Sequence, residues 1–119
     1  TLDILHTGAT QVIKFDNSGS PVESAGQIKG TDFKYMRITN NDSSNFVIVS
    51  LQDSTLNYAK NEKLLPGQSM IFKTINFETT DSSVTLGTQF ANTVRATADE
   101  VIMRSDTATC SVDIFVGYA

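Results

Sequence analysis

His6 and Cys110 are the only imidazole and the only thiol in the 119 residues, so a thiol–imidazole dyad would have to use both. A Ser-His-acid triad would also need His6, but the surrounding "LHTG" is not the Gly-x-Ser-x-Gly turn that presents a serine nucleophile. Cys110 stands in the alternating run "TCSVDIFVGYA", where a small buried hydrophobe is the expected role. One Cys and one His cannot build a structural zinc site without carboxylate help. "DNSGS", Asp16 to Ser20, looks like the start of a calcium loop, yet Gly19 is misplaced and Gln27 holds the twelfth position, where a bidentate Glu belongs. A turn is expected there instead. Asp53 and the Asp99-Glu100 pair have no partner at ligand spacing and read as solvated strand ends. Gly67 precedes Gln68 without a following Gly-Lys pair, so no phosphate loop is present. The expectation is therefore no catalytic, cofactor-binding or metal residues, and no enzyme.

Two weaker chemistries remain. Paired carboxylates for glycoside hydrolysis could converge from anywhere in the chain, but a chain without Trp offers a poor stacking platform for sugars. Tyr35 and Tyr58 are the candidate ligand or partner contacts, with Tyr118 a third ring on a strand. Asn41 to Ser43, "NDS", fits the N-glycosylation acceptor pattern, which matters only in a protein secreted from a eukaryotic cell.

The elements that must position these residues read as strands. The composition is 39% hydrophobic and only 18% charged, with many Ser, Thr and Asn. That is unlike a helical protein with Glu/Lys/Ala-rich solvent faces, and β-branched and aromatic residues recur too often for a disordered tail. At the C-terminus, Cys110, Val112, Ile114, Val116 and Tyr118 alternate onto one face, with Phe115 the exception on the other. Residues 10–15, 33–39, 45–51, 69–77 and 99–105 read as further strands, preceded by a short one around Ile4. The continuous β-branched run at 45–51 suits a strand buried on both faces. Residues 20–32 read as a loop, 53–63 as a strand around Leu56 and Tyr58 or one helical turn, and 84–98 as extended. Separators at 16–21, 40–44, 79–83 and 105–109 carry Asx, Ser and Gly turn chemistry. The 40–44 spacer predicts a hairpin between 33–39 and 45–51, and the 105–109 spacer a hairpin between the strand at Val101 and the last strand. The fold expected is all-β, an antiparallel β-sandwich or jelly-roll-like barrel, as one domain over residues 1–119. Residues 1–9 read as an extended arm or a frayed terminus.

In "LLPGQSMIF", Pro66 and Gly67 suit the central positions of a type II turn, making the stretch a structural hinge between strands. The formal net charge is −4, and the nine basic residues are scattered singly. The expectation is therefore no nucleic-acid and no membrane partner, because counterion release needs clustered cations. No apolar run approaches the roughly 20 residues that span a bilayer.

"RITNNDSSNFVIVSLQ", "LLPGQSMIF" and "DEVIMRSDTATCSVDIFVGYA" together resemble the small β-sandwich accessory proteins of tailed-bacteriophage virions, of the head-decoration and minor structural type. The matching positions are Ile38-Thr39-Asn40, Val47-Ile48-Val49, Leu65-Pro66-Gly67 with Phe72, and Val112-Ile114-Val116, over residues 33–119. The resemblance implies a non-enzymatic virion protein that decorates or cements a capsid or tail shell. Its partners would be the major capsid or another virion protein and further copies of itself, with a trimer suited to three-fold points. The rival expectation is a carbohydrate- or receptor-binding module at the cell surface or outside the cell.

Overall fold

The computed structural model describes residues 1–16, 27–80 and 93–119. The separators at 17–21 and 81–83, most of the loop expected from residue 20 and the pattern through residue 92 lie outside the described residues. So does the interior of the calcium-like stretch.

The strands follow the alternation. They are β1 (Leu2–Ile4), β2 (Thr10–Asp16), β3 (Gln27–Lys29), β4 (Phe33–Asn40), β5 (Val47–Asp53), β6 (Tyr58–Leu64), β7 (Ser69–Phe72), β8 (Asn76–Thr80), β9 (Thr93–Thr97), β10 (Glu100–Ser105) and β11 (Cys110–Tyr118). A 3-10 turn, Gly30–Asp32, leads into β4. The expected strand 69–77 is two strands: β7 ends at Phe72, and β8 starts at Asn76 in a different sheet. Leu56 lies in the turn between β5 and β6, a true hairpin, where Asn57 takes positive φ (59°). Residues 1–9 supply β1, whose Ile4 is fully buried opposite Cys110.

One sheet has the order β1-β11-β4-β7, and the other β3-β2-β10-β5-β6, with β8-β9 as a separate hairpin. All pairings are antiparallel except β2 with β3. Leaving out β3, β8 and β9 and renumbering the other eight strands from one, the sheets read 1-8-3-6 and 2-7-4-5. That is the jelly-roll order, two Greek keys folded face to face.

Both hairpins expected from short spacers are overturned by this order. β4 pairs with β11 and β7, whereas β5 pairs with β10 and β6, so residues 41–46 cross from one sheet to the other. Likewise β10 and β11 belong to opposite sheets, and residues 106–109 form the second crossing. The turn chemistry is there: Asp42 Oδ2 accepts the amides of Ser44 (2.9 Å) and Asn45 (2.6 Å). Asx turns reverse the chain equally well within a sheet or between sheets. Burial chooses, because Met36 and Ile38 of β4 and Val47 and Val49 of β5 are all fully buried in one core. β5 sits inside its sheet between β10 and β6, with even Ser50 only 5% exposed.

The core is one cluster between the sheets, including Phe15, Met36, Ile38, Val49, Met103 and Val112. Phe33 packs edge-on to Phe15 (centroids 5.2 Å) and stacks on Phe72 (5.6 Å), closing one end.

Candidate functional site

The outward face of the β1-β11-β4-β7 sheet concentrates the exposed rings. Period-two alternation on β11 sends Val112, Ile114 and Val116 inward and Asp113, Phe115 and Gly117 outward. On β4 it sends Met36 and Ile38 inward, Tyr35 and Arg37 outward. The register sets Gly117 opposite Tyr35, Phe115 opposite Arg37, and Arg37 opposite Ile71 of β7. Four side chains thereby form one patch: Tyr35 (38% exposed), Phe115 (52%), Ile71 (58%) and the exposed Arg37. The Tyr35 and Phe115 rings are nearly parallel, 23° apart with centroids at 5.7 Å, and the Arg37 guanidinium carbon stands 6.0 Å from the Phe115 ring.

Gly117 determines how Tyr35 lies. A Cβ placed there would sit 2.3 Å from Tyr35 Cε1, 2.7 Å from Cδ1 and 3.0 Å from Cζ. Those distances set the added carbon against the Cε1 edge of the ring, so the ring occupies space that a side chain at this position would need. Any larger residue would push it off.

The remaining candidates are dispersed. Tyr58 begins the edge strand β6 of the opposite sheet, beside Asp53 and Asn57, so the structure does not bring Tyr35 and Tyr58 together. Pro66 and Gly67 are the central residues of a turn closed by Gln68 N–H to Leu65 O (3.1 Å), with Gly67 at φ +76°. Gly67 N–H also donates to Asn40 O, and Asn40 N–H to Gln68 O, both at 2.9 Å, so the corner is tied to the β4–β5 crossing. Leu64 is buried there, but Leu65 is 44% exposed. Tyr118, expected on the inner face, is 66% exposed because the β4–β11 register slips between Gly117 and Tyr118.

Asp53 is not a solvated strand end. It is 6% exposed, its Oδ1 accepting the amides of Thr55 and Leu56 and its Oδ2 that of Thr97. Asp99 accepts from the Ser54 amide and hydroxyl, and Glu100 from Gln11 Nε2 (2.6 Å). An open cleft of about 580 Å³ runs past Lys14, Asp53, Thr97 and Asp99, but these hydrogen bonds commit Asp53 to backbone. His6 is partly exposed, and its carbonyl accepts Arg104 Nε. Cys110 is fully buried, with its sulfur against Ser105 Oγ (2.9 Å) and the carbonyl of Asn45 (3.6 Å). Burial pushes its thiol pKa up, against the Ser105 hydrogen bond and with help from Asp42 and Asp106. Asn41 is exposed at the β4–β5 crossing. Among the described residues, no group of three or more His, Cys, Asp or Glu could hold a metal ion, and no helix is long and apolar enough to cross a membrane.

Sequence reasoning did not assign Phe115, Arg37, Ile71 and Gly117 to a site. The signal was present in Phe115, the one apolar residue on the polar phase of an otherwise strict alternation. Cross-strand register, needed to set it beside Tyr35, is not readable from spacing. No family model matches the chain, and no curated protein or solved structure matches it.

Proposed function

We propose that the chain is a non-enzymatic structural protein of a virion, one that decorates or cements a capsid or tail shell through protein–protein contacts. The jelly-roll strand order carries this reading. Among the described residues it gives two broad sheet faces, with β7 and β6 as edge strands. Fold alone does not dictate function, but the surface chemistry agrees. Few charges and many hydroxyl and amide groups suit a wet interface whose strength comes from many repeated copies.

The docking edge is β7. Its residues Ser69 to Phe72 carry no charge, whereas the other sheet's edge strand β6 carries Lys60, Glu62 and Lys63. Charges on an edge discourage strand addition, and a charge-free edge permits it. The partner is a major capsid or tail-shell protein, with further copies of this chain around a symmetry axis.

Mass spectrometry of purified virions is expected to find the chain at a fixed ratio to the shell protein. Shells stripped of it should rebind the purified chain and gain heat resistance. Absence from particles, together with failure to rebind, overturns the proposal. A second reading, a carbohydrate-binding module, is favoured by the Tyr35–Phe115 ring pair.

A further inference from the structure

We propose that the β7 edge pairs with the β7 edge of a second copy of this chain, antiparallel about a two-fold axis at Met70. The inference rests on the reading of β7 as the docking edge and names its occupant. The hydrogen-bond phase of the sheet fixes which backbone groups of β7 are free. Asn40 N–H donates to Gln68 O (2.9 Å), and the same register sets Ile38 opposite Met70 and Met36 opposite Phe72. In an antiparallel ladder only alternate residues bond a given neighbour. Met70 and Phe72 therefore bond β4, while the N–H and C=O groups of Ser69 and Ile71 point away from it. The other side of β4 has the matching phase: Asn41 N–H donates to Ser111 O (2.9 Å), in register with the β4–β11 pairing. Among the described residues nothing bonds the outward groups of Ser69 and Ile71, and β7 ends its sheet.

That row is complementary to itself. With the axis at Met70, Ser69 of each copy lies opposite Ile71 of the other, and every outward N–H meets an outward C=O with none left over. Charge agrees. Among the described residues the other sheet edges carry Asp3 on β1, Lys29 on β3, and Lys60, Glu62 and Lys63 on β6, whereas Ser69 to Phe72 carries none. Edge charges are the usual guard against self-pairing, and this edge lacks it. Lys73, the next residue, lies at the opposite end of the pair from its own mate. On the core side, Met70 meets the second copy's Met70 at the close, non-hydrogen-bonded position. A cavity of about 60 Å³ lies there among Leu51, Met70, Phe72 and Phe77, with room for about two methyl-sized groups. An unbranched Met side chain suits such a gap. Both strands are already formed, so pairing orders no backbone, as an unstructured peptide would require. A ladder this short buries less surface than stable interfaces do. The dimer is therefore weak in free solution and strengthened where copies are held close together.

The test is sedimentation equilibrium of the purified chain between about 10 μM and 1 mM, where a dimer is expected with Kd of about 100 μM. Ile71→Lys should weaken it by about tenfold or more, because a charge on the edge discourages strand addition. Ile71 is 58% exposed, so this variant should keep the parent's unfolding midpoint. The two Ile71 side chains are diagonal neighbours across the pair, and mixing Ile71→Lys with Ile71→Glu should restore the dimer. Met70→Cys, treated with glutathione disulfide, should crosslink to its mate faster than Ser69→Cys. The Met70 positions stand about 4.5 Å apart across the axis, within the span of a disulfide. The native Cys110 is fully buried and does not compete. If Met70→Cys unfolds, the Ile71 variants decide. The proposal is overturned if the parent stays monomeric up to about 1 mM. It is overturned equally if Ile71→Lys dimerises as tightly as the parent, or if a folded Met70→Cys crosslinks no faster than Ser69→Cys. A monomeric chain that loses rebinding to stripped shells in Ile71→Lys would assign the edge to the shell protein, and the second copy would be wrong. Dimerisation of the isolated chain is independent of the virion reading, which is decided by particle composition.

Discussion

Asn40 is fully buried, and its side-chain amide donates to the carbonyls of Asn45 (2.9 Å) and Leu64 (3.2 Å) while its Oδ1 accepts the Asp42 amide (2.9 Å). One side chain thus joins the β4–β5 crossing to the end of β6. Replacing it with Leu keeps the volume but strands two carbonyls and an N–H, and buried groups left without partners are costly. Asn40→Leu is expected to lower unfolding free energy by about 2–4 kcal/mol in urea titration. A loss under about 1 kcal/mol would mean that solvent reaches these groups. Nearby, the backbone amides of Asn45 and Ser44 hold the Asp42 carboxyl below the usual carboxylate range. Asn41 and Thr1 side chains do the same for Asp113. A depressed native pKa stabilises the fold above the unfolded value, near pH 4, and that contribution is lost as pH falls through the native value. The urea midpoint should therefore drop below about pH 4, and drop less in Asp42→Asn; an unchanged slope in that variant would remove Asp42 from the account. At this scale the sequence marked Asn40 and Asp42 as turn residues. It could not mark Asn40 as a buried hub, because Leu64 on β6 and the corner residues Gly67 and Gln68 are distant from it in the chain.

At the scale of elements, the Leu65–Gln68 turn shows a motif that is legible and a context that is not. Pro66 and Gly67 specify the turn locally through a fixed φ and a tolerated positive φ. Nothing lies within 4 Å of a Cβ added at Gly67, so substitution there meets backbone strain alone. Gly67→Val is expected to destabilise by about 1–3 kcal/mol, and Gly67→Asn by less, because Asn enters the left-handed region more readily. Equal losses in thermal unfolding would point to a lost contact instead of strain. The hydrogen bonds from this corner to Asn40 are what turn it from a loop into a brace between the two sheets. The strands themselves were mostly legible: 10–15, 33–39, 45–51 and 99–105 fall within one or two residues of β2, β4, β5 and β10. The misread run, 69–77, has continuous strand-like residues. It breaks because β7 must end with its sheet while β8 starts another.

For the whole molecule, Cys110 reports global integrity. It is wholly buried between β1 and β10, and burial holds its thiol in the protonated form. In the native protein, reaction with a thiol-specific disulfide reagent is expected to be slow and to track unfolding across a urea series. Fast reaction under native conditions would show that β1 opens on its own. The same architecture limits what the chain alone can reveal. Composition and period-two alternation settle an all-β domain with one core, because each strand must bury one face whatever its neighbours are. Turn residues settle where the chain reverses, because Asx, Gly and Pro act on adjacent backbone. Neither settles whether a reversal stays in a sheet or crosses between sheets. That depends on how all the apolar faces are buried at once, so the two expected hairpins became crossings. Register is equally non-local: Gly117 meets Tyr35 only because β11 and β4 pair at that offset across some 80 residues of chain. The sequence by itself determined the strands, the corner and the outward phase of Phe115. Only the tertiary structure decided the jelly-roll order and stacked two distant rings, one of them against a bare glycine.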